Sequence, residues 1–135
     1  MNDAHVIAIV DDDVSVRRSL LRVVRKAGYK AEAFASARAF LEWLLTGQAA
    51  CLVLDVQMDG MSGFDLQERL AVPIIFITAH DDAPMRARIE KSGAAAHLRK
   101  PFDAETVLGA IRRTVGGDGA VDQGPIGSQD DVGET

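Results

Sequence analysis

Apolar residues run along this chain in two alternating rhythms. Val6–Val10, Cys51–Leu54 and Ile74–Ile77 are apolar at every position, which suits strands buried on both faces, as in a parallel sheet. Ala31–Phe34 and Ala96–Leu98 are weaker strand candidates. Between them the period lengthens to that of a helix. Val16, Leu20, Val23, Val24 and Ala27 share one face, and Gly28 follows as a stop signal. Ala37, Phe40, Leu41, Leu44 and Leu45 form a second stripe between an N-cap at Ser36 and a terminator at Gly47. Ala104, Val107, Leu108, Ile111 and Val115 form another, with Asp103 as its cap. Ser62–Leu70 and Ala83–Ser92 are shorter helical candidates. The resulting order, βαβαβαβαβα, predicts an α/β fold: an open parallel sheet with helices on both faces, a three-layer αβα sandwich.

A length of 135 residues fits one domain. Charge divides that length unevenly. Residues 1–115 hold all fifteen bases and fifteen acids, and are neutral overall. Residues 116–135 hold Asp118, Asp122, Asp130, Asp131 and Glu134 and no base, so the net −5 belongs to them. This Gly-rich acidic stretch has too little apolar surface to order itself and reads as a disordered tail or linker. The chain as given therefore has a domain at 1–115 and a tail at 116–135, with no periodic sequence left for an output domain. No apolar run approaches a membrane span. A single cysteine, Cys51, forbids an internal disulfide and fits a cytoplasmic setting. A secreted disulfide scaffold, a membrane protein and a multidomain enzyme are excluded by these counts, and with no periodic sequence left to house a helix-turn-helix, direct nucleic-acid binding is not expected.

Open parallel sheets bind ligands at the carboxyl ends of their strands. There the chain places Asp11, Asp12 and Asp13 after the first strand, Asp55 after the third, Thr78 after the fourth and Lys100 after the fifth. Clustered carboxylates call for a hard divalent cation, Mg²⁺ above all. A lysine and a hydroxyl add donors for phosphate oxygens, so the set suits phosphoryl transfer, with Asp55 as a carboxylate nucleophile. Asp13, at the helix entrance, reads as a cap instead.

Taken in order, Val10-Asp11-Asp12, Leu52-Val53-Leu54-Asp55, Met58-Asp59-Gly60-Met61-Ser62-Gly63, Ile77-Thr78-Ala79 and Lys100-Pro101-Phe102 resemble the receiver domains of bacterial two-component response regulators. The resemblance covers about residues 5–115, and finer matches at 16–20, 36–41 and 76–80 are similar to the FixJ-type subgroup. It implies a CheY-like, flavodoxin-like (βα)5 sheet of order 2-1-3-4-5. Further, it implies that Asp55 accepts a phosphoryl group from a sensor histidine kinase or phosphotransfer protein. Mg²⁺ (or Mn²⁺) would be held by Asp12 directly, Asp11 mainly through water, Asp55 and the carbonyl of Gln57. Lys100 would pair with phosphoryl oxygens, Thr78 would move to hydrogen-bond them, and His97 would follow as the switch residue. Gln57 and His80 would tune dephosphorylation, and the Lys100–Pro101 bond would be cis. The partners implied are a kinase docking on the first helix, a downstream protein target and a phosphorylation-dependent homodimer.

Two departures from the family pattern stand out. Asp59 occupies a position usually held by proline, and only Ala71-Val72-Pro73 joins the third helix to the fourth strand, which predicts a short or displaced helix. Asp59 is the one argument for a degenerate receiver that binds partners without phosphorylation. An aspartate-nucleophile phosphatase would want an acid where Gln57 stands, and a flavin carrier would not tolerate three aspartates in its phosphate loop. The expected activity is self-phosphorylation and autodephosphorylation, not turnover of a free substrate. His5 and His80 lack partners at metal spacing, Trp43 reads as edge packing, and the bases of the first helix read mostly as a solvated face.

Overall fold

The computed structural model describes residues 6–58, 60–79 and 82–116. Five strands, β1 (Val6–Val10), β2 (Lys30–Phe34), β3 (Cys51–Asp55), β4 (Ile74–Thr78) and β5 (Ala96–Arg99), alternate with five helices, α1 (Val14–Lys26), α2 (Ala37–Leu44), α3 (Gly63–Gln67), α4 (Ala83–Lys91) and α5 (Ala104–Val115). The strands form one parallel sheet in the order β2-β1-β3-β4-β5. This is the doubly wound arrangement expected above. The tail beyond Gly116 lies outside the described residues. Among those described, no helix is long and apolar enough to cross a membrane.

The three continuous apolar runs occupy the three central strands, where both faces are covered. β3 and β4 are buried at every residue. One layer packs α1 and α5 through Leu20, Val24, Val107, Ala110 and Ile111 onto Ile7, Ile9, Val53, Ile75 and Ile77. The other packs α2, α3 and α4 through Phe40, Phe64, Leu66 and Ile89 onto Ala8, Val10, Leu52, Leu54 and Phe76. Full burial of each large side chain stabilises by roughly 1.5–3 kcal/mol. Register aligns the strands so that Val10 pairs with Leu54, Asp55 with Ile77 and Thr78 with Arg99. The carboxyl ends of β1, β3, β4 and β5 therefore share one edge.

Caps set the helix boundaries. Asp13, Ser36, Ser62, Asp82 and Asp103 each accept a backbone N–H in the first turn of α1 to α5 respectively. Gly28, at φ +102°, lets the chain leave α1. α3 is short, as the three-residue connection predicts.

The apolar stripes were read one residue too far at helix ends. Ala27 is the exposed C-cap of α1, and Leu45 is the C-cap of α2, 84% exposed. Beyond the last turn a side chain no longer follows the helical period. In α5, Ala104 is exposed and Ala110 is buried instead. Trp43 packs at the edge as expected, its ring 5.4 Å from Phe34 and 6.0 Å from Phe40.

Cys51 is fully buried, and that burial pushes its thiol pKa up to about 12. A thiol raised above its unfolded value stays protonated in the fold and ionises on unfolding, so it reacts only when the strand opens. Labelling by a thiol reagent at pH 8 should be roughly a hundredfold or more slower in buffer than in denaturing urea. Prompt labelling of the native chain would contradict the buried β3.

Candidate functional site

The shared edge gathers its chemistry from four strand ends. Asp11 follows β1 directly and is fully buried. Its Oδ1 accepts the N–H of Asp13 at 2.9 Å, and its carbonyl accepts from Arg17 Nη1 at 2.8 Å. The turn into α1 is thus built around Asp11, while Asp13 caps the helix by accepting from Ser15 N at 2.8 Å. Asp12 is exposed. Asp55 closes β3 at 6% exposure, and its Oδ1 accepts the N–H of Gln57 at 3.0 Å. That bond folds the loop after β3 over the carboxylate and brings the Gln57 backbone to the cluster, with its side chain exposed.

Carboxylate oxygens of Asp11, Asp12 and Asp55 lie within 4.8 Å of one another. Lys100 reaches in from the turn after β5, its Nζ 2.9 Å from Asp11 Oδ2 and 3.4 Å from Asp55 Oδ2. It bonds Asp55. The approach to Asp11 is an ion pair, and beyond it Asp11 Oδ2 has no hydrogen-bond partner. Among the described residues, three carboxylates against one ammonium leave two formal negative charges at a largely buried place. Burial, and after it the charge of Asp11, raises the Asp55 pKa above the ordinary carboxylate value, against the N–H of Gln57 and the charge of Lys100. Burial pulls the Lys100 pKa down, but its contacts with Asp11 and Asp55 outweigh this and hold it above the ordinary lysine value.

A divalent cation fits this donor set. It would supply the missing charge, and all donors are oxygens, one of them a buried carboxylate oxygen with no hydrogen bond. A cleft of about 380 Å³ opens beside the cluster, lined among others by Asp12, Gln57, Met58, Phe64 and Arg88. It gives the exposed face of the cluster room for a ligand.

Thr78 ends β4 and is buried, and its carbonyl accepts the N–H of Lys100 at 2.8 Å. His97 is half-buried on β5, paired in register with Phe76. The Lys100–Pro101 bond is cis. His80 and Asp59 lie outside the described residues.

Three contributions were not read from the sequence. Arg17 belongs to the site's scaffold, not to the solvated face of α1. Arg88 sits 4.0 Å over the Phe64 ring, a contact between α4 and α3 that no spacing announces. Gly63 is required by close approach, since a Cβ there would meet Phe76 Cε1 at 2.9 Å and the Asp55 carbonyl at 3.0 Å. It stands in the matched loop, but a bare glycine in sequence says nothing of what it touches.

The model of the response regulator receiver domain family matches residues 7–112. The chain is 47% identical over 118 residues to the response regulator protein TmoT of Ectopseudomonas mendocina, covering 83% of this chain and 54% of that one. It is 34% identical over 121 residues to the transcriptional regulatory protein FixJ of Azorhizobium caulinodans, covering 86% and 57%. The solved structure of the response regulator StyR matches with a TM-score of 0.75 at 45% identity, over 83% of this chain and 59% of that one. The chain spans little more than half the length of these relatives.

Because burial raises the Asp55 pKa, the unfolded chain releases this proton at lower pH than the folded one. Ionised Asp55 therefore costs the fold stability, a cost that grows as pH rises through that window and is fully present once both states are ionised. With a chelator present, Asp55→Asn should raise the denaturant midpoint at pH 7, a gain of about 1 kcal/mol. A loss of stability on that substitution would contradict the excess of negative charge described above.

Proposed function

The chain belongs to the response regulator receiver family, FixJ-type members included among its relatives, and from that premise we propose that Asp55 accepts a phosphoryl group from the phosphohistidine of a sensor histidine kinase or phosphotransfer protein. The observation that carries this reading is the charge of the cluster: three carboxylates, one ammonium and a buried oxygen left without a hydrogen bond. Asp11, Asp12, Asp55 and the carbonyl of Gln57 would hold Mg²⁺, or Mn²⁺. When bound, the cation supplies the charge neutralisation that lets an anionic phosphoryl group approach these carboxylates.

A carboxylate oxygen of Asp55 attacks phosphorus as the phosphorus–nitrogen bond of the donor breaks, and the imidazole leaves with that electron pair. Lys100, already in contact with Asp55, follows the new negative charge onto the phosphoryl oxygens. Thr78 ends the neighbouring strand β4 at the same edge as Asp55, and its hydroxyl would turn to donate to the same group. His97 lies on the next strand, two residues before the register partner of Thr78, and would follow a movement of Thr78. Two arrangements of α4, β5 and α5 would then differ in how well they satisfy the added charge, and phosphorylation shifts the population between them. Gln57 and His80 would govern access of water to the aspartyl phosphate. The output is contact with a downstream protein target or a second copy of the chain.

Intact-mass measurement after incubation with acetyl phosphate and Mg²⁺ tests this directly. One phosphoryl group should be gained by the native chain, none by Asp55→Ala, and none with a chelator. Thr78→Ala should still gain it but lose the phosphorylation-induced rise in partner binding or dimerisation. No gain in the native chain would leave a phosphorylation-independent interaction module. An equal gain in Asp55→Ala would remove Asp55 from the role.

A further inference from the structure

The cleft beside the acid cluster carries a base that the phosphoryl-transfer reading leaves unused. Asp12 and Gln57 join the cleft to the cluster, while α4 contributes Met85 and Arg88 to its lining. These two stand three residues apart and so share one face of α4. Arg88 is the one base among the lining residues, and it is exposed. Among the described residues no carboxylate pairs with it and no hydrogen bond engages it.

An unpaired surface arginine ordinarily samples many rotamers, but this one is held. Its guanidinium lies 4.0 Å over the Phe64 ring, whose face attracts a cation. Phe64 is itself buried and packs on Phe76, ring centroids 5.1 Å apart. α4 is tied to α3 at its far end, where Gln67 Nε2 donates to the carbonyl and the hydroxyl oxygen of Ser92, each at 3.1 Å. Stacking occupies only the face of the guanidinium. Its N–H donors lie in the plane and stay free for a ligand.

We propose that Arg88 receives the leaving group of the phosphoryl donor and so selects donors whose leaving group is an anion, a carboxylate above all. This inference rests on the reading of Asp55 as the phosphoryl acceptor. Lys100 is engaged by Asp11 and Asp55 and serves the phosphoryl side. A divalent cation, once bound, balances the charge of the cluster and leaves none to spare for a departing anion. With an acyl phosphate, a carboxylate oxygen of Asp55 attacks phosphorus. The bond from phosphorus to the bridging oxygen breaks, and its electron pair leaves with that oxygen as a carboxylate. The planar fork of Arg88 matches a carboxylate with two parallel N–H bonds. With a phosphoramidate the nitrogen, already protonated, takes the electron pair and departs as neutral ammonia. Arg88 then has no charge to answer.

The test follows phosphorylation by intact mass over time, in Mg²⁺, with acetyl phosphate and with phosphoramidate as alternative donors. The native chain is compared with Arg88→Met, which keeps an unbranched stem over Phe64, and with Arg88→Lys. Arg88→Met should slow the reaction with acetyl phosphate roughly tenfold, as expected for loss of a hydrogen-bonded charge partner. Its rate with phosphoramidate should stay within about twofold of native. Arg88→Lys, which keeps the charge and loses the fork, should fall between the two with acetyl phosphate. Equal slowing with both donors would overturn the proposal, because Arg88 would then act on the phosphoryl group or the loop and not on the leaving group. Phosphorylation of the native chain by both donors, with Arg88→Met unaffected, would overturn this inference alone. No phosphorylation of the native chain by either donor would overturn the reading of Asp55 and this inference with it.

Discussion

Three carboxylates held by one ammonium is the constraint on which the rest of this structure depends. Asp11 and Asp55 are buried and Asp12 lies beside them, yet among the described residues only Lys100 answers their charge. Taking carboxylates out of water is costly, and the cost is tolerated only where geometry and further bonds compensate. Here the compensation is partial. The Asp13 and Gln57 N–H groups each satisfy one oxygen, and one oxygen of Asp11 has no hydrogen bond. Stability is given up at this edge, and the shortfall of positive charge fits a divalent cation.

The fold exists to hold that arrangement still. β1, β3 and β4 are buried strands whose side chains fill both layers, so the residues that end them cannot drift. β1 and β3 pair directly, and their adjacent ends set Asp11 and Asp55 side by side. β4 and β5 then bring Thr78 and Lys100 to the same edge. Caps such as Asp13 fix where each helix leaves, and Gly63 lets the loop after β3 press against the Asp55 carbonyl.

Much of this was legible in the residues. A continuous apolar run ending in a polar residue marks a buried strand and its carboxyl end together, which is why Asp11, Asp55 and Thr78 could be placed from the residues alone. The helices were legible in their middles and blurred at their ends. Leu45 and Ala27 look like core residues because a periodic pattern does not announce the turn at which the chain departs. Contacts between distant side chains were not legible at all. Arg17 against the Asp11 carbonyl, Arg88 on Phe64 and the close approach at Gly63 depend on packing distances that one-dimensional spacing does not encode. The uneven charge along the chain was visible from the start.

Calorimetric titration with Mg²⁺ tests the central claim, that the cluster lacks one divalent cation's worth of positive charge. The native chain should bind one ion. Asp12→Asn, which lowers the negative charge, should bind it more weakly, and Lys100→Met, which removes the competing ammonium, should bind it more tightly. Absence of binding, or affinities unmoved by both substitutions, would contradict the account.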